Sequence, residues 1–498
     1  MAVRSGEPVI ADPQLAKSHT TIKVKSERGN TDAIEPPEGS AGEYTQNAPC
    51  EPSSEVLTSK RRRTAALGRC VIGWTLRLSA LLATVVWCTS AMASVPDLFG
   101  YGARGQGMAG ATASTSRGHA SVYYNPARLA YDVDPSFSMG YAHGEFDLRI
   151  DGQDVNVLPA PALTLGLALP IPFLGWLEDR IALGLGLVLP QTSVLIADIP
   201  RPSTPSFTLL ENRAQTVSIQ AAMAFRPLDW ISVGAGVIAL ATLEGHVSVG
   251  PNETGRLGSE VSDVLVADYA PVVGIALEPW PWLSIGATYR GESRATFTFP
   301  VEADLGDLTG QVGLTGLDVE VLPIPTLAIE GTAQFDPEQV WLEVSGRPVP
   351  WLLIAGTMTW KRWSTFDNPI VFTAERPGDP PQPKPEFHDT VVLRAGVEAE
   401  VAAGPVTLQP RLGGAWEPTP TPEQTGYHNY LDNDRGVLSL GLGTTWEFLA
   451  LDMAFQWHHL VPRRHTKGSA ISAEHPGWPS ISHTGNVFYV AFELGVSL

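Results

Sequence analysis

Five histidines near the C-terminus are the first candidates for metal binding or acid–base chemistry. His458 and His459 are adjacent, so on a strand they face opposite sides and cannot bind one metal ion together. His459, His465, His475 and His483 fall mostly in one predicted outer loop, where we expect solvated side chains rather than a metal site. No spacing in the sequence pairs a nucleophile with a base. We therefore predict no catalytic residues, no metal and no cofactor, in a protein that is not an enzyme.

Charged side chains that alternate with apolar ones are the second set of candidates. They are Arg290, Glu292, Arg394, Glu398, Glu400, Arg411 and Asp452. Structural ion pairs along a wet wall explain such a set, because a buried charge needs a partner. If the protein binds a carboxylate, Arg394 and Arg411 are the best candidates for contacting that headgroup, since arginine holds carboxylates in bidentate fashion.

The elements that carry these charges have a period of two. Over residues 438–443 leucine alternates with serine or glycine, and similar alternation recurs from residue 136 to Leu498. One face is continuously apolar, whereas the other is small, polar or ionisable. A membrane barrel turns its apolar face to lipid and its polar face to a lumen. The sequence therefore predicts an all-β protein, with a transmembrane antiparallel β-barrel over residues 134–498.

The connections alternate in length, which predicts the topology. Short ones lie near 172–179, 226–230, 279–282, 346–351, 403–405 and 444–448, and long ones lie at 150–160, 190–212, 250–262, 300–336, 364–388, 417–435 and 462–484. Outer-membrane barrels have short periplasmic turns and long outer loops. Six short turns and two periplasmic ends give about 14 strands. Residues 317–335 could form one more strand, but an even strand number favours an outer excursion.

Tryptophans and the C-terminus support the same orientation. Six tryptophans lie at or beside the short turns: Trp176, Trp230, Trp280, Trp282, Trp351 and Trp446. Such rings favour a lipid–water interface. The final alternating strand ends at Leu498 and is similar to the closing strand that the barrel-assembly machinery reads. We expect that machinery and outer-membrane lipid to be partners of the chain.

The first 93 residues differ in composition from the rest. Residues 1–59 are polar and predict a disordered leader, unless translation starts nearer Lys60. Residues 60–93 have a basic start, an apolar run and an Ala91-Met92-Ala93 ending, which predict a secretory signal rather than a transmembrane anchor. All three cysteines precede residue 94, and the remaining chain has 22 basic and 43 acidic residues, a formal charge of −21. This charge argues against nucleic acid as a partner.

A glycine- and alanine-rich stretch, residues 99–130, precedes the first strand. It has no alternating pattern and no apolar run, so we expect an irregular segment held by its surroundings. Residues 102–113 (GARGQGMAGATA) and 121–130 (SVYYNPARLA) resemble the N-terminal hatch of the FadL-type outer-membrane transporters. Matching hatch residues are Gly102, Arg104, Gly105, Gly107, Asn125, Pro126 and Ala127. Many family members have adjacent acidic residues in mid-hatch, where this chain has Ser116-Arg117-Gly118-His119.

The resemblance implies a hatch over residues 94–133 that plugs the barrel lumen. It also implies transport of long-chain fatty acids or other hydrophobic compounds across the outer membrane. Capture would occur at the outer loops, followed by hatch movement and lateral exit through the wall. Pro190 ends an alternating run and is a candidate wall opening, although an ordinary strand end explains it as well. Two alternatives stay open: a scaffold that presents lipidated or secreted partners without transport, and a polar porin.

Overall fold

The computed structural model describes residues 95–173, 175–191, 201–210, 217–251, 257–303, 327–372 and 383–498. The expected leader (1–59) and the expected secretory signal (60–93) lie outside these residues. The described ranges contain nineteen strands: β1 (Ser136–Ile150), β2 (Gln153–Val155), β3 (Ala162–Pro170), β4 (Ile181–Pro190), β5 (Ser218–Leu228), β6 (Ile231–Pro251), β7 (Leu257–Trp280), β8 (Leu283–Arg290), β9 (Ser293–Ala303), β10 (Leu327–Asp336), β11 (Glu338–Val349), β12 (Leu352–Arg362), β13 (Ile370–Phe372), β14 (Thr390–Ala399), β15 (Val401–Ala403), β16 (Val406–Glu417), β17 (Arg435–Trp446), β18 (Leu449–Thr466) and β19 (Ser480–Ser497).

Fourteen of these strands close into an antiparallel barrel. Their order around the wall is β1, β3, β4, β5, β6, β7, β8, β11, β12, β14, β16, β17, β18 and β19. β19 pairs with β1 from Ser136↔Ser497 to Ile150↔His483, which closes the ring. Closure pairs the backbone groups that an open edge would leave bare in lipid. The predicted barrel of about 14 strands is confirmed.

The two faces of the wall follow the alternation in the sequence. On β17, Leu438, Leu440 and Leu442 are exposed on the outside, whereas Ser439 is buried inside. The six short connections are residues 171–180, 229–230, 281–282, 350–351, 404–405 and 447–448. We call this end of the barrel the short-turn end and the opposite end the long-loop end. All six predicted tryptophans are about half exposed or more at the short-turn end.

The region that could have held an extra strand extends an existing hairpin instead. Residues 317–326 lie outside the described residues, and 327–335 belong to β10. β10 pairs with β9, and these two strands prolong β8 and β11 beyond the wall at the long-loop end. The count of fourteen wall strands is therefore unchanged. β4 ends at Pro190, which still pairs with Ala162 of β3, as at an ordinary strand end.

The chain before β1 lies inside the barrel. This N-terminal segment, residues 95–135, forms the short helices α1 (Val95–Phe99), α2 (Ala103–Gly107) and α3 (Ser121–Tyr124), with 3₁₀ turns at Gly118–Ala120 and Pro126–Tyr131. Its irregular course agrees with its glycine content, and helices of four or five residues need outside support. Among the described residues, no helix combines the length and apolar composition needed to cross a membrane.

Candidate functional site

The N-terminal segment separates two cavities of different size. Towards the long-loop end lies a cavity of about 30 Å³, which we call the aromatic cavity; its lining combines rings with ionisable side chains and includes Phe99, Tyr123, Trp341, Asp97, Arg394, Glu417 and His458. Towards the short-turn end lies a cavity of about 420 Å³. Its ionisable lining residues are Arg104, Arg117, His119, Asp132, Asp134, Glu398, Arg411, Asp452 and Glu493. Both sides of the segment therefore have charged walls, but the lumen is narrow and partly aromatic on the long-loop side and wide on the short-turn side.

The first half of the segment is attached to the wall through backbone groups. Gln456 of β18 donates its side-chain N–H to the carbonyls of Phe99 (3.0 Å) and Gln106 (2.8 Å). Gln106 in turn donates to the hydroxyl of Tyr489 at 2.6 Å. The rings of Phe99 and Tyr489 are stacked with centroids 4.1 Å apart. Buried polar groups of α1 and α2 thus find partners on β18 and β19.

Three predicted hatch glycines lie at or in α2. Gly102 precedes the helix with φ 75°, a conformation that favours glycine. At Gly107 the segment passes so close to β17 that a Cβ atom would lie 2.9 Å from the Cα of Gly441. Gly105, between them, contacts the ring of Tyr124. The glycine spacing lets α2 approach both the wall and α3.

Arg104 connects α2 to a charged network on the wall. Its Nε and Nη2 donate to the two carboxylate oxygens of Glu398 at 2.8 and 2.9 Å. The same carboxylate accepts from Arg411 Nε at 2.7 Å, and Arg411 Nη1 also contacts Asp452. Of the two predicted headgroup residues, Arg411 is thus held by two wall carboxylates and faces the charged cavity.

The Asn125-Pro126-Ala127 triplet starts the last turn of the segment. Asn125 is extended, as its position before proline predicts, and its Oδ1 accepts from the N–H of Ala127 at 3.1 Å. Asn125 Nδ2 donates to the carbonyl of Ile275, and Ser232 Oγ donates to the carbonyl of Ala127. The triplet therefore caps a turn and attaches it to β6 and β7. Proline suits the first position of this turn because the N–H it lacks would have no partner there.

Glu343 of β11 holds the middle of the segment. Its carboxylate accepts from the backbone N–H groups of Ala113 (2.7 Å) and Ser114 (2.8 Å), from Ser114 Oγ (2.7 Å) and from Thr357 Oγ1 (2.6 Å). Its side chain is only 1% exposed. The role of this residue was not predicted from the sequence. The available signal was an acid on the inward face of an alternating strand, between exposed Leu342 and Val344.

Trp341, two residues before Glu343, lies close to two arginines. The guanidinium carbons of Arg290 and Arg394 lie 5.5 and 5.0 Å from its ring centroid. Arg290 donates to the Tyr123 carbonyl at 2.6 Å, and Arg394 donates to Thr359 Oγ1 at 3.0 Å. Within the described ranges, neither arginine forms an ion pair with a carboxylate. Arg394 lines the aromatic cavity, so the two predicted headgroup residues lie on opposite sides of the segment.

The histidines divide differently from expectation. His458 is buried and His459 is exposed, so they do face opposite sides. The expectation of a solvated cluster is wrong for His465 and His483, which are fully buried at the outer ends of β18 and β19 with stacked rings 4.9 Å apart. The strands continue further beyond the wall than the loop boundary we predicted. No group of three or more His, Cys, Asp or Glu among the described residues could hold a metal ion.

The long-loop end contains a separate buried apolar cluster. Its members come from the loops and from the end of β10 nearest the wall: Leu209, Phe335, Trp363, Phe366, Phe387 and Tyr430. The rings of Phe366 and Phe387 are stacked at 4.6 Å, and Tyr430 meets Phe387 at 6.2 Å. Aromatic pairs of this kind contribute stability beyond simple area burial.

Comparison with known proteins identifies the family of this chain. A family model described as outer membrane protein transport protein (OMPP1/FadL/TodX) matches residues 82–477. The chain is 24% identical over 377 residues to alkane uptake protein A of Marinobacter nauticus, a match covering 70% of this chain and 79% of that protein. A Pseudomonas aeruginosa FadL homologue has the same fold, with a TM-score of 0.52, 18% identity and coverage of 79% and 97%. The P. putida toluene transporter TodX gives a TM-score of 0.52, 13% identity and coverage of 81% and 99%. The chain therefore belongs to the FadL and TodX family of outer-membrane transport proteins.

Proposed function

We propose that this protein carries long-chain fatty acids or hydrocarbons into the outer membrane, with the N-terminal segment acting as a hatch. The observation that carries the proposal is an apolar path through the wall at β4, where Val122 and Leu129 of the segment pack on Gly184 and an apolar groove lies on the lipid side. Such surroundings suit an apolar solute, whereas the charged cavity below the segment does not. The family is one of hydrophobic-compound transporters, and relatives named for alkane uptake and toluene transport agree with this substrate class.

Capture begins at the outer loops. The apolar cluster that includes Trp363, Phe387 and Tyr430 is built from residues outside the barrel wall. Because the members of this cluster are buried, the loops must part before a solute reaches them, and an apolar solute that partitions there leaves water before it enters the lumen. The aromatic cavity beside Phe99 and Trp341 holds only about one water molecule, so the solute enters it as the hatch moves. Arg394 lines that cavity and would contact a carboxylate headgroup if the solute has one, in bidentate geometry.

Exit is lateral, after the hatch moves. The charged cavity below the segment, towards the short-turn end, would expose an apolar solute to water. On the lipid side of β4, β5 and β6 lies an apolar groove of about 330 Å³. Behind it, Val122 and Leu129 of the segment pack directly on Gly184 of β4. Only the strand backbone separates apolar segment residues from the membrane here, which supports release through this part of the wall.

Uptake by cells that lack their own hydrophobic transporter tests this proposal. We would supply labelled long-chain fatty acids, alkanes and aromatic hydrocarbons and compare the intact chain with a variant lacking residues 95–131. We expect the intact chain to take up only one of these classes, which identifies the substrate. The variant without the segment should either lose this uptake or no longer restrict it. Heat-dependent gel mobility reports whether each barrel is folded. A folded intact barrel that takes up none of the three classes would favour the scaffold alternative.

A further inference from the structure

The loop between β16 and β17, residues 418–434, is buried although its composition is that of a solvated loop. It contains prolines at 418, 420 and 422 and many polar residues. Surface connections normally stay on the surface, because buried backbone groups need partners. Eight of its residues are nevertheless almost completely buried: Thr421, Gln424, His428, Asn429, Tyr430, Leu431, Asp432 and Asn433. The loop therefore folds inward rather than out into solvent.

This loop reaches across the mouth of the barrel. In the order of the fourteen strands, it is separated from the loop between β4 and β5 by six strands on one side and eight on the other. The two loops nevertheless pair through a parallel bridge between Ser206 and Tyr430. Ser206 donates its backbone N–H to the carbonyl of Asn429 at 3.2 Å, and Leu431 donates to the carbonyl of Ser206 at 2.8 Å. Connections from nearly opposite sides of the wall thus meet over the lumen.

The loop also packs onto the core that contains the N-terminal segment. Leu431 is fully buried in the same apolar cluster as Phe207 of the facing loop and Phe99 and Tyr101 of the segment. The loop therefore lies between the outside and the aromatic cavity. A solute that enters from the outer loops has to pass it.

Three basic residues on one face of β18 and its end hold the loop in place. Arg463 Nη1 donates to the carbonyls of Thr421 (2.9 Å) and Asp432 (3.2 Å). The Nδ1 atom of His465 accepts the backbone N–H of Gln424 at 3.1 Å. Lys467 Nζ donates to two further loop carbonyls, those of residues 426 and 428, at 2.9 and 2.8 Å. Alternate positions on one strand thus satisfy the buried backbone of the loop.

We propose that residues 418–434 form an outer gate, locked by Arg463, His465 and Lys467, that swings away to admit the solute. The proposal rests on the transport function above. It adds a second closure, so that the aromatic cavity lies between the gate on the long-loop side and the hatch on the other side. The lock consists of hydrogen bonds to loop backbone from side chains of a neighbouring strand. Such contacts can break and reform without disturbing the pairing of the wall strands.

A reversible cross-link tests whether the gate moves during uptake. The bridged positions 206 and 430 are close enough for a disulfide, and no cysteine follows Cys88 in the sequence. We would measure uptake by the S206C/Y430C double variant after oxidation with copper phenanthroline and again after reduction. Each single variant, treated in the same way, is the control. Uptake should fall to the empty-vector level on oxidation and return on reduction. Equal uptake by the oxidised and reduced double variant would overturn the proposal.

Thiol labelling gives a readout that does not depend on transport. Val437 of β17 lines the aromatic cavity below the proposed gate, so we would measure how fast a charged methanethiosulfonate reagent modifies V437C from outside. Lys467→Met should speed labelling severalfold, whereas Arg464→Met, a change on the exposed face of the same strand, should not. Equal rates for the two variants would refute the gate. If the two variants differ in labelling rate as expected but no variant takes up solute, the transport function alone is contradicted.

Discussion

Replacing Glu343 with glutamine should loosen the middle of the N-terminal segment. The carboxylate serves two backbone N–H groups of the segment at 2.7 and 2.8 Å, and glutamine has only one oxygen to offer. The NH₂ group of the glutamine would then face the N–H of Ala113 or that of Ser114, and two donors cannot form a hydrogen bond with each other. Losing one charge-assisted bond and leaving a buried N–H unpaired costs roughly 2–4 kcal/mol in local stability. Since each 1.4 kcal/mol is a factor of ten, protection against exchange at these amides should fall roughly 30- to 700-fold.

Hydrogen exchange read by mass spectrometry on the purified barrel measures this effect. The matched control is Thr357→Val, which removes a donor to the same carboxylate without touching the segment. That variant should leave exchange at Ala113 and Ser114 nearly unchanged, and heat-dependent gel mobility should show folded barrels in both cases. Unchanged protection at these amides in the Glu343→Gln variant would show that this carboxylate does not hold the segment.

Three further outcomes follow from the contacts. Arg394→Leu should reduce uptake of a labelled fatty acid more than uptake of an alkane of equal length, because only the acid has a headgroup to pair; equal losses would exclude a headgroup role. Arg104→Ala should leave Glu398 with one arginine instead of two and expose α2 to limited proteolysis, with cleavage sites read by mass spectrometry; an unchanged digestion pattern would contradict the role of this ion pair. Burial lowers the pKa of His428 below its ordinary value of 6.5, and the nearby Lys467 acts in the same direction. His428 therefore binds a proton more tightly when the loop is open, so opening should increase as the pH falls below about 6.5. Because the reagent reacts with the thiolate, the labelling rate of V437C is divided by that of a fully exposed cysteine at the same pH; this ratio should rise below about 6.5 and stay level just above it.

The wall of the barrel could be predicted from the sequence because its cause is local. Strand alternation, as at 438–443, assigns each residue to lipid or lumen independently of distant partners. The extended backbone of Asn125 was likewise predictable, since the following proline imposes it. The C-terminal alternation up to Leu498 correctly indicated the strand that closes the ring against β1.

Contacts between distant parts of the chain could not be predicted in this way. The loop at 418–434 has the composition of a solvated connection, and its partner Ser206 lies far earlier in the chain. His465 looked solvated for the same reason, because its burial depends on that loop folding inward. Arg394 and Arg411 were indistinguishable by strand phase, since both face inward. Only the position of the N-terminal segment separates them into different cavities.

Whether the barrel passes apolar and not polar solutes is tested most directly by supplying one of each to the same cells. Cells that lack other hydrophobic transporters would produce the intact chain and receive either a labelled long-chain hydrocarbon or labelled sucrose. We expect faster hydrocarbon uptake than in cells with the empty vector, and no change for sucrose, because the segment and the outer loops block the lumen. Increased sucrose entry, or no gain in hydrocarbon uptake by a folded barrel, would contradict this expectation.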